Sequence, residues 1–306
     1  MEKSKRWGIF KDKRNWKEYH NELLKRYEIY LDLEWVKSWE EELLKMNRHK
    51  RGRPYEYPDS MIEFQSFFVQ KFTLRGAEAI TRKLEEHGLI PKFNDHATIH
   101  RRILKMNLSF PIPKGIEIHE GTDGSGFKIT NSGEYFQSTY GKERRKYAKV
   151  IITATKEEIL DVDVVINEKS KTSEPKIAEK HLKNIINNGG RIVKSYNDGA
   201  FDTRHFFNFL EKHNIESAIR IRHNANSKAK GSQRRKKEVL EFKKLGYKQW
   251  ANKKGYGNRW AMTESHFSAI KRCYGDFARA KKIQNVILEL KRIVWTYNKV
   301  KSYPNG

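Results

Sequence analysis

Apolar residues recur at intervals of three and four along the first third of the chain. Trp16, Tyr19 and Leu23 follow this spacing, and later segments repeat it. Such spacing predicts amphipathic helices, because positions three and four apart share one helix face. The predicted helices cover residues 16–46, 61–72, 75–86 and 95–106. Residues 1–110 are therefore predicted to form a helical region, and the segment 111–113, with two prolines, marks its end.

Beyond residue 113 the pattern changes to the alternation and β-branched runs typical of strands. The predicted strands cover residues 116–130, 147–153, 159–166, 192–196 and 218–221. Helical spacing returns over residues 174–188 and 203–212, and again from Trp260 to about Tyr297. Strands that run as a meander and then alternate with helices predict an α/β domain, a mixed sheet flanked by helices, over residues 111–306.

The predicted helices at 61–72 and 75–86 are followed by a turn and then by a short basic helix at 95–106, which carries Arg101 and Arg102. One interpretation is a helix-turn-helix-like unit whose basic helix lies in or along a DNA groove. The other is a helical bundle that packs on the rest of the protein, since helical hairpins are common. The sequence leaves both interpretations open.

The charge of the chain points to an anionic partner. The formal net charge is +25, and residues 221–306 hold 22 Lys and Arg against 5 Asp and Glu. Nucleic acid is the expected partner of such a surplus, and the alternative is a basic surface without a function. The chain has one cysteine and no long apolar run, so we expect a cytoplasmic protein without disulfides or membrane spans.

Two clusters of basic residues are candidates for binding the DNA backbone. Arg144, Arg145 and Lys149 precede and enter a strand close to Asp123, although a charged hairpin would have the same composition. Arg234 and Arg235 belong to a stretch at 224–237 that is predicted to be a basic loop. That loop is either a clamp for phosphates or simply solvated.

Three acidic residues stand out by their context. Asp123 lies in a glycine-rich strand, Asp198 directly follows an apolar strand, and Glu264 lies at the edge of an apolar helix stripe that includes Phe267 and Ile270. Each has an ordinary alternative, respectively a turn residue, a helix cap and a surface glutamate. Together they form a set of hard oxygen ligands that suits two Mg²⁺ or Mn²⁺ ions about 4 Å apart, the arrangement used for phosphoryl transfer.

Three motifs carry a family resemblance. They are Asp123-Gly-Ser-Gly, the Asn-Asp-Gly-Ala-Phe-Asp segment at 197–202, and Tyr256 with Arg259, Glu264 and Lys271. Over about residues 50–300 the chain resembles insertion-sequence transposases of the DDE type, whose catalytic domain is RNase H-like. In that family three residues separate the arginine from the glutamate, whereas four do so here. Either Arg259 occupies a different position, or a one-residue bulge precedes the helix.

The resemblance implies an RNase H-like fold and a magnesium- or manganese-dependent enzyme that cuts DNA at transposon ends and joins the 3′-hydroxyl to target DNA. It implies a homodimer on DNA and a nucleoid-associated protein. The metal ligands would be Asp123, Asp198 and Glu264, and the DNA contacts near the cleaved phosphate would come from Tyr256, Arg259, Lys271 and Arg272. Two alternatives are a nuclease without joining activity and an inactive DNA-binding relative, such as a repressor or a decayed copy.

Overall fold

The computed structural model describes residues 14–129, 147–166 and 173–303. The predicted DNA contacts Arg144 and Arg145 lie outside these residues. None of the helices in the described ranges is long and apolar enough to cross a membrane.

The first part of the chain is helical, as predicted. Asn15 caps the first helix by accepting the Lys17 N–H at 3.2 Å, and Asp95 caps the fifth by accepting the Thr98 N–H at 2.8 Å. Such caps satisfy backbone donors that have no partner within the helix. The helices are α1 (Trp16–Glu28), α2 (Trp39–Asn47), α3 (Asp59–Phe72), α4 (Leu74–Glu86) and α5 (His96–Ile103), with a 3₁₀ turn at Glu34–Ser38.

Helices α3, α4 and α5 pack around one shared apolar cluster that includes Phe64, Phe68, Ala77 and Ile99. This is the bundle arrangement that the sequence left open. That the basic helix α5 binds DNA stays a prediction.

The second part of the chain contains the predicted mixed sheet. Its strands are β1 (Glu117–Ile129), β2 (Tyr147–Ala154), β3 (Ile159–Ile166), β4 (Arg191–Asn197), β5 (Glu216–Ile219) and the short β6 (Phe277–Ala278). The first five lie in the order β3-β2-β1-β4-β5. The meander β1-β2-β3 is antiparallel, whereas β1, β4 and β5 run parallel.

One edge of β1 is divided between two partners. The ladder with β4 covers residues 117–121 of β1, and the ladder with β6 covers residues 128–129. Since β2 occupies the opposite edge of β1 from residue 121 to 128, residues 122–127 face a gap between β4 and β6. No strand of the described residues fills this gap.

Helices cover both faces of the sheet. On one face lie α6 (Glu174–Asn187), α7 (Arg204–Lys212) and the start of α8 (Gln233–Lys254), around a cluster that includes Leu182, Phe206 and Val239. On the other lie α10 (Glu264–Tyr274) and α11 (Ile283–Ser302), which pack on Ala148, Val150 and other alternate residues of β2. Burial on both faces is the arrangement that the α/β prediction required.

The helical region docks on α11. The rings of Phe67 and Trp295 are stacked with their centroids 5.9 Å apart, and Ile29 and Val300 join the same cluster. Lys71 adds a hydrogen bond of 2.9 Å from its ammonium to the carbonyl of Cys273. The two regions therefore share buried apolar surface.

Two predictions about the last third of the chain are wrong. The single helix predicted from Trp260 to Tyr297 is interrupted at Thr263, where φ is −129°, and between Gly275 and Lys282, where β6 forms. The basic loop predicted at 224–237 ends at Ser232, because that side chain accepts the Arg235 N–H at 3.3 Å and starts α8. Arginine and lysine are good helix formers, so the basic run continues the helix.

Candidate active site

The three predicted acids come together at the gap along β1. Asp123 projects from β1 within the gap, Asp198 follows the parallel neighbour β4, and Glu264 is the first residue of α10. Burial raises the pKa of Asp123 above its usual value, and the negative charges of Asp198 and Glu264 raise it further, while the Gly124 N–H and Arg259 lower it. Asp198 and Glu264 are therefore close enough to Asp123 for their charges to act on it.

Arg259 links two of these carboxylates. It lies on α9 (Asn258–Met262), and its Nη1 is 3.3 Å from Oδ2 of Asp123. Its Nη2 donates a hydrogen bond to Oε1 of Glu264. The extra residue between Arg259 and Glu264 is absorbed at Thr263, the non-helical residue between α9 and α10. Of the two alternatives, the structure has the one-residue interruption before the helix.

Gly121 allows the junction of α9 and α10 to approach the sheet, and sequence reasoning missed this role. A β-carbon at Gly121 would lie 3.2 Å from the Met262 Cβ, the Thr263 Cγ2 and the carbonyl oxygen of Tyr196. Any side chain there would press on the segment that carries Arg259.

Two arginines hold the turn that carries Asp198. They are Arg222 and, through its bonds to Asp202, Arg235. Asp198 itself accepts the Ala200 N–H at 2.7 Å and so caps a 3₁₀ turn. Arg222, which sequence reasoning missed, donates from its guanidinium to the carbonyls of Gly199 and Ala200. Its only sequence signal is its place just after β5, at the carboxyl edge of the sheet where open α/β sheets place ligands.

Asp202 does not cap the helix that follows it. Thr203 caps α7, because its hydroxyl accepts the Phe206 N–H at 3.3 Å. The carboxylate of Asp202, whose side chain is fully buried, instead accepts two hydrogen bonds from Arg235, at 2.6 and 3.1 Å.

Tyr256 lies at the inner side of the site. It is buried against Trp250 and Met262. Burial raises the pKa of Tyr256 to about 12; the positive charge of Arg259 lowers it and the negative charge of Asp198 raises it. The phenol therefore keeps its proton and can donate a hydrogen bond near Asp198. Arg220 follows the last residue of β5, and its guanidinium carbon lies 5.3 Å from the centre of the Tyr247 ring. Its positive charge also lowers the pKa of Tyr256.

The predicted basic contacts near the site differ in their surroundings. Lys149 forms an ion pair with Glu174 beside Gly124. The Lys271 ammonium lies 5.1 Å from the centre of the Phe127 ring. Arg272 is exposed and donates to Ser268 at 3.2 Å. All three sit on β2 or α10, the elements that flank the Asp123 strand.

Farther from the site, the two arginines of each neighbouring pair, at 101–102 and at 234–235, differ in their contacts and exposure. Arg101 is exposed, whereas Arg102 turns inward and donates to the Tyr57 carbonyl at 3.0 Å and to Asp59 at 2.6 Å. Arg234 is partly exposed, with Glu238 3.5 Å away, whereas Arg235 is held by its buried aspartate partner. In each pair, one guanidinium is more exposed to solvent than the other.

His205 and His266 make their contacts away from the three carboxylates. His266 is buried and its Nε2 lies 2.9 Å from the Thr155 carbonyl, and burial lowers its pKa to about 4. His205 is exposed beside Glu179. Across the described ranges, no group of three or more His, Cys, Asp or Glu side chains is drawn together tightly enough to hold a metal ion. The guanidinium of Arg259 supplies the positive charge that lies between the carboxylates of Asp123 and Glu264.

Comparison with known families decides the assignment. A family model described as the transposase DDE domain matches residues 122–299, a range that spans more than half of the chain and contains all three acids. A second model with the same description matches residues 25–132. The chain belongs to the DDE transposase family. This transposase has the α/β fold, a mixed sheet flanked by helices, that the sequence predicted, and DDE transposases generally use divalent metal ions.

Solved structures resemble the transposase only distantly. The piggyBac transposase synaptic complex with hairpin DNA is 10% identical, with a TM-score of 0.38, covering 92% of this chain and 75% of that one. The Mos1 strand transfer complex is 12% identical, with a TM-score of 0.26, covering 83% and 78%. No curated protein matches the chain.

Proposed function

We propose that this transposase cuts DNA at the ends of its element and joins the freed 3′-hydroxyl to target DNA, with Asp123, Asp198 and Glu264 as its catalytic carboxylates. The observation that carries the proposal is their convergence at the gap along β1, where the charges of Asp198 and Glu264 raise the pKa of Asp123. Neighbouring carboxylates that raise one another's pKa are characteristic of sites that act on or through cations.

The donor set favours two Mg²⁺ or Mn²⁺ ions. Three carboxylates offer hard oxygen ligands, and no thiolate or imidazole takes part. The position of the Arg259 charge between Asp123 and Glu264 supports a preference for a cation there. Bound there, the ions would activate the attacking water or hydroxyl and stabilise the leaving oxygen.

Binding and orientation of DNA fall to the basic and phenolic groups around the carboxylates. Arg259 has a planar fork of donors suited to a phosphate, and Tyr256 keeps its proton and can donate a hydrogen bond to DNA near Asp198. Arg220 extends the positive surface at the carboxyl edge of the sheet. The remaining proposed backbone contacts are Lys149, Lys271 and Arg272 near the site and Arg101 and Arg234 farther away.

The proposal includes a homodimer, because joining requires two transposon ends to be held together. A single copy of the site acts on one end at a time. Since the substrate is chromosomal DNA, we expect the protein in the cytoplasm at the nucleoid.

The test is cleavage and joining of end-labelled DNA that carries the element's own terminal sequences, in Mg²⁺. Wild type is compared with Asp198→Ala and with Asp276→Ala. Asp276 lies in the loop just before β6, outside the carboxylate group, and pairs with Lys128 at 3.1 Å. We expect cut and joined products from wild type and Asp276→Ala, and none from Asp198→Ala, with DNA binding retained in all three.

Two other outcomes identify the alternatives. Cut DNA without longer joined strands would make the protein a nuclease that lacks joining activity. DNA binding without chemistry in either Mg²⁺ or Mn²⁺ would make it a catalytically inactive DNA-binding relative.

A further inference from the structure

Four buried polar side chains belong to β1, which carries Asp123, and to β4, which ends just before Asp198. Glu120, Thr122, Ser195 and Asn197 are each at most 1% exposed. The Thr122 hydroxyl donates to the Glu120 carboxyl at 3.1 Å, the Asn197 amide donates to the Ser195 hydroxyl at 2.6 Å, and the Ser195 hydroxyl lies near enough to Glu120 to lower the pKa of that carboxyl. These hydrogen bonds make the bonded side chains a rigid unit, because breaking one leaves an unpaired polar atom in the core. One Glu120 oxygen, Oε1, has no partner among the described residues.

The side chains of this unit continue the pairing of β1 and β4 at the point where the backbone ladder ends. The last paired residues of that ladder are Gly121 and Tyr196. One position farther, the Thr122 N–H donates to the side-chain oxygen of Asn197 at 3.2 Å. The Asn197 side chain therefore extends the pairing of the two strands by one step.

This step lies directly next to both aspartates. Thr122 precedes Asp123 in the chain, and Asn197 precedes Asp198. We propose that Asn197 is a positioning residue that fixes the Asp198 carboxylate relative to the Asp123 carboxylate for metal binding. The proposal rests on the proposed function, since it takes these two residues as ligands.

The same unit is anchored on its other side. The Thr122 hydroxyl lies 2.7 Å from that of Thr153 on β2, and Thr153 lies 2.9 Å from Nδ1 of His181 on α6. Both partners are fully buried. Asn197 therefore holds β4 against a strand that is itself fixed to β2 and α6, so a change at Asn197 moves Asp198 rather than Asp123.

The chain offers a matched control for Asn197. Asn298 on α11 is also a buried asparagine whose side chain bonds strand backbone, accepting the Ile159 N–H at 2.8 Å and donating to the Ile159 carbonyl at 3.1 Å. Its partner Ile159 is on β3, two strands away from the strand of Asp123. Asn197→Ala and Asn298→Ala each remove the same chemistry, but only the first lies beside the proposed ligands.

The experiment measures Mn²⁺ affinity of the DNA-free proteins by isothermal titration calorimetry, with melting temperature recorded in parallel. Both variants are expected to melt below wild type. Only Asn197→Ala is expected to bind Mn²⁺ more weakly, by about 10- to 100-fold, the usual effect of removing a group that orients a metal ligand. Equal Mn²⁺ affinity in the two variants would overturn the positioning role.

A milder pair covers the case in which Asn197→Ala does not fold. Ser195→Ala removes the hydroxyl that accepts from Asn197, and Ser217→Ala removes an equally buried hydroxyl that donates to Glu238 at 3.0 Å. Weaker Mn²⁺ binding in Ser195→Ala alone supports the proposal, and equal binding overturns it. If wild type itself binds no Mn²⁺, the metal site of the proposed function fails together with the inference.

Discussion

Arg259 competes with metal ions for two of the proposed ligands, because its guanidinium contacts both Asp123 and Glu264. We predict that Arg259→Ala binds Mn²⁺ more tightly than wild type in the absence of DNA. Each partly exposed ion pair contributes about 1 kcal/mol or less, so the gain is about tenfold. Calorimetric titration measures it.

The control for this prediction is Arg272→Ala, which removes an exposed positive charge that contacts only Ser268. It should leave Mn²⁺ affinity close to wild type. Weaker Mn²⁺ binding by Arg259→Ala would contradict the competition and would mean that Arg259 holds the carboxylates in their ligating arrangement. DNA cleavage by Arg259→Ala should fall in either case, since a phosphate contact is lost.

Glu120 makes stability depend on pH. Burial raises its pKa from the usual 4.5 to about 7. Between these values the folded protein keeps a proton that the unfolded chain releases, so stability falls as pH rises from about 4.5 to about 7. Glu120→Gln stays neutral and lacks this loss. Relative to wild type, its free energy of unfolding should therefore gain on the order of 3 kcal/mol between pH 4.5 and pH 8.

Urea unfolding at the two pH values measures the effect. Glu117→Gln is the comparison, since Glu117 lies exposed in the same strand and pairs with Arg191. The relative stability of Glu117→Gln should change little with pH. A Glu120→Gln variant with the same pH profile as wild type would show that the buried carboxyl does not titrate in this range.

At the scale of elements, two neighbouring arginines at the start of α8 differ in their roles. Arg235 pairs with a buried carboxylate, whereas Arg234 is more exposed. Arg235→Ala leaves the carboxylate of Asp202 buried with fewer donors, so we expect the free energy of unfolding to fall by about 3 kcal/mol. Arg234→Ala removes a pair with Glu238 whose arginine is 30% exposed, and should cost about 1 kcal/mol or less. Chemical denaturation of both variants tests this, and equal losses would contradict it.

The elements that the sequence predicted well are those with strong periodicity. Alternate residues of β2 face one apolar cluster, and Phe267 and Ile270 of α10 face the same one, so pattern alone located them. The interruption at Thr263 and the two-residue strand β6 have no periodic signal. They form because the last third of the chain packs on β1, which is a tertiary effect.

The same limit applies to the site. Glycine-rich and strand-end contexts marked Asp123 and Asp198, and the spacing to Lys271 marked Glu264. Nothing in the sequence separates Arg102 from Arg101, or Arg235 from Arg234, because the difference lies in which guanidinium finds a carboxylate or carbonyl across the fold. Arg222 was missed for the same reason, since its partners lie in a different loop.

At the scale of the whole molecule, the net charge of +25 predicts DNA binding with a steep dependence on salt. Proteins that neutralise six to ten phosphates lose about 10³-fold or more in affinity between 50 and 200 mM salt, and we expect the same here. Fluorescence anisotropy with a labelled duplex measures the slope. Arg101→Ala should reduce it by about one. Arg102→Ala is the control and should not, because its guanidinium bonds inside the protein.

The division of the β1 edge between β4 and β6 has a consequence for biosynthesis. The ribosome completes β1 early, but β6 and the helix that carries Glu264 come from the last 43 residues of the 306-residue chain. Helix α11, which covers the sheet and receives the helical region, is made last of the described elements. A nascent or prematurely terminated chain therefore has the aspartates without the glutamate and without a closed core. Under the proposed function such a chain lacks one catalytic carboxylate, so we expect it not to cut DNA.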